Sequence, residues 1–342
     1  MSSFLVFFGL NINSEIHSQN TTGPGGCMLA RLLSQHSIPS TVFEAEVSIN
    51  YRTQGGTLDL RTSTGLAAIK EANLFSEFKK RARYEDESLL VCDKHQTTWM
   101  RSKPPKKGSK SKRAFEAPEI DRVQLRNMLM ESLPEGCSVT GQQLGDGSIS
   151  VSFSGIKDED YIKNCGFDPG DLQSARKAVL GELHDWTPEL VNLVESADVE
   201  SMVWMNYYML PVGFTWEHKQ GVTLLGDAAH LMTPFAGIGV NTAFYDAMLL
   251  THAIVDSENT QKPDKLDSNV IEYERKMWAF AKAGQEKTLG SMTDMFFTPG
   301  APRTSIERWL LRHVKSEIPR WSHPIVTALV YTGYFFYKLL FV

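Results

Sequence analysis

The run from Val222 to Asn241 limits what this chain can fold into more than any other stretch. Val222–Leu225 is short and apolar, the length of a buried strand. It ends in Gly226-Asp227, and Thr233-Pro234-Phe235-Ala236-Gly237-Ile238-Gly239 then forms a loop that opens a helix near Val240. Gly226 lets the backbone turn with no side chain in the way. Asp227 falls at the carboxyl end of the strand, where open α/β sheets bind ligands. Its carboxylate can accept hydrogen bonds from a sugar-like chain of hydroxyls. Gly237 and Gly239 permit close backbone approach, and the N–H groups at the helix start favour an electron-rich or anionic group. Together these features suit a grip on a nucleotide-type cofactor.

A second glycine segment lies near the amino terminus. Gly23-Pro24-Gly25-Gly26 opens an apolar helix, and Ser40-Thr41-Val42-Phe43-Glu44 follows as a strand ending in an acid. This is the second half of a βαβ dinucleotide-binding unit, with Gly23 and Gly26 at the pyrophosphate and Glu44 at the adenosine ribose. The apolar run Phe4–Leu10 reads as the first strand, too short and without the basic leader of a signal peptide. A complete G-x-G-x-x-G would need glycine at Thr21, and the polar stretch Asn11 to Thr22 separates strand from turn.

Between these motifs, Thr57-Leu58-Asp59-Leu60 alternates like a short strand after the turn at Gly55-Gly56, and Arg52 just before it can pair a phosphate. Pro118-Glu119-Ile120-Asp121 reads as a helix start with Asp121 as N-cap, and Arg126 falls off the apolar face of that helix. Cys137-Ser138-Val139 and Ser148 to Phe153, around Gly145-Asp146-Gly147, read as a β-hairpin. Leu172 to Leu183 reads as a helix, and Trp204 to Pro211 as an aromatic strand suited to core or to a flat apolar pocket. His230 reads as structural packing beside the glycine loop.

Four segments together resemble the flavoprotein aromatic-hydroxylase superfamily, in its group-A, TetX-type branch. They are Gly226-Asp227 with its glycine loop, Gln54-Gly55-Gly56-Thr57-Leu58-Asp59-Leu60, Glu119-Ile120-Asp121-Arg122-Val123-Gln124-Leu125-Arg126, and Tyr273-Glu274-Arg275-Lys276-Met277 through Met295-Phe296. The resemblance implies an α/β fold: a glutathione-reductase-like Rossmann FAD-binding domain, a reduced antiparallel-sheet substrate domain and a C-terminal helical tail. The implied boundaries are 1–150 and 221–300 for the FAD-binding domain, 151–220 for a remnant substrate domain and 301–342 for the tail. It implies FAD contacts at Gly23, Gly26, Glu44, Gly56, Thr57, Asp59, Arg126, Asp227, Gly239 and Val240, with Arg52 a candidate for NADPH. The implied activity is an FAD-dependent monooxygenase that uses NAD(P)H and O2 to hydroxylate or epoxidise a small aromatic or polyunsaturated molecule, in a secondary-metabolism setting. The family's Asp-Gly strand and most of its substrate sheet are not recognisable after Phe153. A second reading therefore stands beside the first: a truncated flavoprotein remnant that binds FAD weakly or not at all.

Bulk properties set outer limits. The 342 residues are 42% hydrophobic with a net charge of −5, which gives no footing for nucleic-acid binding. The basic run Lys103 to Arg113 reads as a solvated loop. Four cysteines without CxxC or metal spacing read as reduced intracellular thiols, so no metal and a cytoplasmic setting are expected. The apolar tail 324–342 would make a helix of about 29 Å, a candidate for membrane association.

Overall fold

The computed structural model describes residues 5–8, 23–38, 40, 57–83, 89–102, 118–131, 153–168, 171–197, 206–260 and 263–341. In chain order the elements are β1 (Leu5–Phe8), α1 (Pro24–Gln35), β2 (Thr57–Asp59), α2 (Gly65–Glu71), α3 (Phe75–Arg81), β3 (Leu89–Cys92), β4 (Thr98–Ser102), β5 (Glu119–Asp121) and α4 (Arg122–Glu131). There follow α5 (Tyr161–Asn164), α6 (Leu172–Glu182), α7 (Pro188–Glu195), β6 (Val222–Leu225), α8 (Asp227–His230), α9 (Gly239–Thr260), α10 (Pro263–Met292), a π turn (Thr293–Phe297), α11 (Ile306–Lys315) and α12 (His323–Phe341). The architecture is helix-rich mixed α/β, with three two-stranded sheets among the described residues.

The chain divides into two compact units. The first comprises Met1–Glu87, Pro105–Ser148 and Tyr208–Leu289. Here β1 and β6 pair in parallel, in a register running from Leu5 opposite Val222 to Phe8 opposite Leu225. Both strands therefore end on the same edge, immediately before Gly226-Asp227. β2 and β5 pair antiparallel, Thr57 opposite Asp121. The core is built where α1 packs on α9: Cys27, Met28 and Leu32 of α1 meet a shell that includes Phe244, Ala247 and Leu250 of α9 and Leu225 of β6, all buried. Gly25 makes that approach possible, because a Cβ there would lie 3.0 Å from Leu225 Cδ1 and 3.1 Å from Ala243 Cβ. The first turn of α1 is thus held against the carboxyl end of β6.

The second unit comprises Ser88–Pro104, Ile149–Tyr207 and Gly290–Val342. Its β3–β4 hairpin is closed by Asp93, whose Oδ1 accepts from the backbone N–H groups of His95 (2.9 Å) and Thr97 (3.0 Å) and whose Oδ2 accepts from the Trp99 indole (3.1 Å). Asp171 caps α6 by accepting from Gln173 N at 3.2 Å. In the last third of the unit, buried Asp294 of the π turn receives both Arg308 and Arg312 from α11. Gly290 leaves room for this: a methyl at 290 would sit inside the Arg312 guanidinium.

Several expectations are corrected. The expected helix begins at Arg122, directly after Asp121, with Leu125, Met128 and Leu129 buried; what the sequence did not show is that Glu119–Asp121 itself pairs with β2 as a short strand and that the Asp121 carboxylate takes a bidentate bond from Arg83 (2.9 and 3.1 Å). Residues 206–211 of the expected aromatic strand have no strand partner and are irregular. No helix among the described residues is long and apolar enough to cross a membrane. The strand at 41–44, the polar stretch 11–22, the basic run 103–113, and the expected hairpin apart from Phe153 lie outside the described residues.

Candidate functional site

The candidate site is assembled where β6 ends. Gly226 has φ +62°, a conformation that a residue with a Cβ adopts only at a cost, and it reverses the chain into the single turn of α8. Asp227 begins that turn and is exposed. Behind it lies a buried polar pair. His230 Nε2 donates to Asp246 Oδ2 at 2.6 Å, and the same oxygen accepts the Gly226 N–H at 3.0 Å. Both side chains are at most 2% exposed. Burial opposes charge on the His230 ring, but the adjoining Asp246 carboxylate overrides it and raises the pKa above the usual histidine value. Asp246 of α9 thus fixes the glycine that aims Asp227.

Asn241 supplies the second fixed point. Its Oδ1 accepts from Arg61 N (2.8 Å), Thr64 Oγ (3.2 Å) and Gly65 N (3.2 Å), while its Nδ2 donates to the Asp59 carbonyl (2.6 Å). One buried amide in the first turn of α9 therefore pins the end of β2 and the start of α2. A Cβ at Gly65 would lie 2.6 Å from Asn241 Oδ1, so this turn tolerates no side chain without moving. Crowding by protein raises the Asp59 carboxyl above its ordinary value, and the Arg61 guanidinium acts against that shift. Residues 57–65 are brought beside the glycine loop 237–239 in this way, with Arg61 also reaching the Ala236 carbonyl at 3.4 Å.

A third group braces the strand from its far side. Glu274 of α10 is buried and accepts from Thr223 Oγ (2.8 Å), Trp216 Nε1 (3.2 Å) and His218 Nδ1 (2.8 Å). His218 Nε2 meets Asp267 at 3.1 Å. Desolvation works against the His218 charge, yet the two carboxylates prevail and raise its pKa. Tyr273 donates to the Leu224 carbonyl at 2.8 Å.

Of the residues singled out from the sequence, Gly23, Gly26, Asp59, Asp227, Gly239 and Val240 are described in full, and all lie in the first unit. Gly23 precedes α1, whose amino end has no side-chain cap; Pro24 offers no N–H, and the Gly26 N–H donates to the Gly23 carbonyl at 3.0 Å. A Cβ built at Gly23, Gly237 or Gly239 meets no atom within 4 Å, which marks open space beside these three backbones. Thr57 is placed by its backbone in β2 and Arg126 by its backbone in α4; their side chains, and Glu44, Arg52 and Gly56 altogether, lie outside the described residues. Sequence reasoning missed Asn241 and Asp246. The available signal was their position: an amide and a carboxylate five residues apart in the first two turns of a helix, beside the apolar Ala243, Phe244 and Ala247.

Comparison with known proteins agrees with this geometry. The FAD binding domain family matches residues 114–284, half of the sequence, and the chain belongs to that family. Monooxygenase asqM of Emericella nidulans is 32% identical over 151 residues, covering 39% of this chain and 34% of the relative. Monooxygenase penA of Penicillium thymicola is 32% identical over 128 residues, covering 34% and 29%. The chain thus spans about a third of the length of these curated relatives. The fold matches that of HpxO from Klebsiella pneumoniae, solved with FAD and uric acid (TM-score 0.58, 14% identity, 91% of this chain and 94% of that one). It also matches an FAD-containing monooxygenase from Photorhabdus luminescens (TM-score 0.56, 18% identity, 79% and 96%).

Proposed function

We propose that this chain binds FAD across the carboxyl ends of β1 and β6 and acts as an FAD-dependent monooxygenase. The observation that carries the reading is convergence. The uncapped start of α1, the Gly226-Asp227 turn and the first turn of α9 meet at one edge of a parallel strand pair. The residues present fit the cofactor. Open space lies beside Gly23, Gly237 and Gly239, and Asp246 Oδ1 and His230 Nδ1 are buried without a protein partner. The reading follows the Rossmann pattern, in which ligands bind outside the carboxyl ends of parallel strands.

Each residue then has a task. The amino end of α1 at Gly23–Gly26 is assigned to the pyrophosphate, with the Gly25 N–H as its donor, and Asp227 accepts from the ribitol hydroxyls. The Gly239 and Val240 amides lie at the electron-rich edge of the flavin ring. Asn241 holds Asp59 and Thr57 against the same region. Glu44 is assigned to the adenosine ribose, Gly56 and Arg126 to FAD, and Arg52 to NADPH. Bound FAD, reduced by NAD(P)H, supplies the oxygen-activating chemistry, and the chain positions it and excludes water. The substrate class is a small aromatic or polyunsaturated molecule of secondary metabolism, handled in the cytoplasm. In domain terms, 1–150 and 221–300 serve the cofactor, 151–220 forms a reduced substrate domain and 301–342 a tail.

The test is the visible absorbance of the purified chain after incubation with FAD and gel filtration. Retained flavin in the wild type, lost at least about tenfold in affinity in Asp227→Ala, supports the reading. A wild type that retains none makes the chain a remnant of the family. Equal retention by both proteins removes Asp227 from the site.

A further inference from the structure

The last helix turns its polar groups inward and its apolar groups outward. On the inner side of α12, the Tyr334 hydroxyl donates to the Trp99 carbonyl at 2.9 Å and the Tyr337 hydroxyl to the Thr98 carbonyl, both on β4. Lys338 reaches Glu307 of α11 at 2.6 Å. Lys338 is the sole Lys, Arg, Asp or Glu between 323 and 341, so pairing it inward leaves the outer face without a formal charge. That face carries Ile325, Leu329, Phe335, Phe336, Leu339 and Leu340, each 53–68% exposed, and Trp321 just before the helix is 76% exposed. A helix of this length presents a strip of about 28 Å. Contiguous apolar surface of that extent marks an interaction face.

Charge indicates what covers it. Of the six Lys and Arg in 298–342, Arg308 and Arg312 pair with Asp294 and Lys338 with Glu307. Arg303 and Arg320 are exposed. A protein interface is ringed by hydrogen-bonding groups, whereas the outward strip offers aliphatic and aromatic carbon with few donors. Basic residues beside such a strip, with a tryptophan at its end, match an anionic lipid surface. The inner side is already committed to β4 and α11, so the helix has one face to give.

We propose that α12 lies flat on an anionic bilayer, its outer face at the level where headgroups meet acyl chains, with the exposed Arg303 and Arg320 among the headgroups. The helix rests on the membrane and does not cross it. This surface is independent of the FAD reading.

Flotation of the full chain with vesicles tests it, using phosphatidylcholine alone and phosphatidylcholine with phosphatidylserine. The wild type floats with the anionic vesicles, and added salt weakens the association. Arg320→Gln lowers the partition about fivefold. The double change Leu329→Glu with Phe336→Glu lowers it at least about tenfold while circular dichroism stays unchanged. A wild type that remains unbound with both vesicle types overturns the proposal, as does a double variant that floats equally well. Equal flotation on neutral vesicles overturns the anionic preference. A concentration-dependent dimer that the double change dissociates, with no flotation, overturns it by assigning the face to a second copy.

Discussion

The first two turns of α9 and the outer face of α12 solve opposite problems. At α9 an amide and a carboxylate are withdrawn from water: the Asn241 amide is spent on backbone groups and the Thr64 hydroxyl, and one Asp246 oxygen on the Gly226 N–H and the His230 ring. At α12 the polar tips are used on the protein side and carbon is left facing out. Buried polar groups are costly unless paired, so a chain that buries them gains a fixed geometry. Exposed carbon fixes no geometry and is stable only against another apolar medium. One region therefore specifies a shape, and the other selects a surrounding.

The contrast breaks most visibly at Asp246. Replacing it with alanine strips the partner from His230 and from the Gly226 N–H. Urea denaturation should show a loss of about 3–5 kcal/mol; a loss under about 1 kcal/mol would mean the pair does not set the turn. Asn241→Ala comes next, at about 2–3 kcal/mol, because two backbone N–H groups and a hydroxyl lose their common acceptor. Its Asn241→Asp counterpart should recover part of that loss, since the carboxylate still accepts.

A smaller effect sharpens the comparison through pH. The folded state binds a proton on His218 more tightly than the unfolded chain does. This stabilisation is complete below the ordinary histidine value and disappears as pH rises through the raised one. Unfolding free energy should fall as pH rises across that window, and His218→Gln should flatten the contribution. A wild-type profile that rises with pH there would reverse the assignment. The smallest effect belongs to α12. Leu329→Glu should change stability by no more than about 0.5 kcal/mol, because the side chain already faces outward. A loss above about 2 kcal/mol would show that the free chain covers this face.

Local signals made part of this molecule readable. The four apolar residues 222–225, the Gly-Asp that ends them and the helix from Gly239 are contiguous in sequence, and each rule involved spans a few residues. The helix from Arg122 was readable too, but the strand Glu119–Asp121 leading into it was not, because three residues cannot express a period and a strand so short is decided by its partner at 57–59. Asn241 escaped notice for a related reason: its partners are Arg61, Thr64 and Gly65, about 180 residues away, and no local pattern encodes that meeting. The aromatic stretch 206–211 has the composition of a strand, but it is held irregularly, with the Leu210 N–H donating to the Leu231 carbonyl at 2.9 Å. The candidate site was therefore legible as a set of ends and turns, while the polar network that holds them was not.

Gly290 and Arg312 carry one more consequence. The arginine reaches Asp294 only across the space that a side chain at 290 would fill. A glycine inside a helix is otherwise a loss of roughly 1 kcal/mol against alanine, so the usual stabilising exchange should fail here. Neither position is free to drift alone. A side chain at 290 would push the Arg312 guanidinium aside and take it from Asp294, so the cost of filling 290 is read at a carboxylate four residues further on.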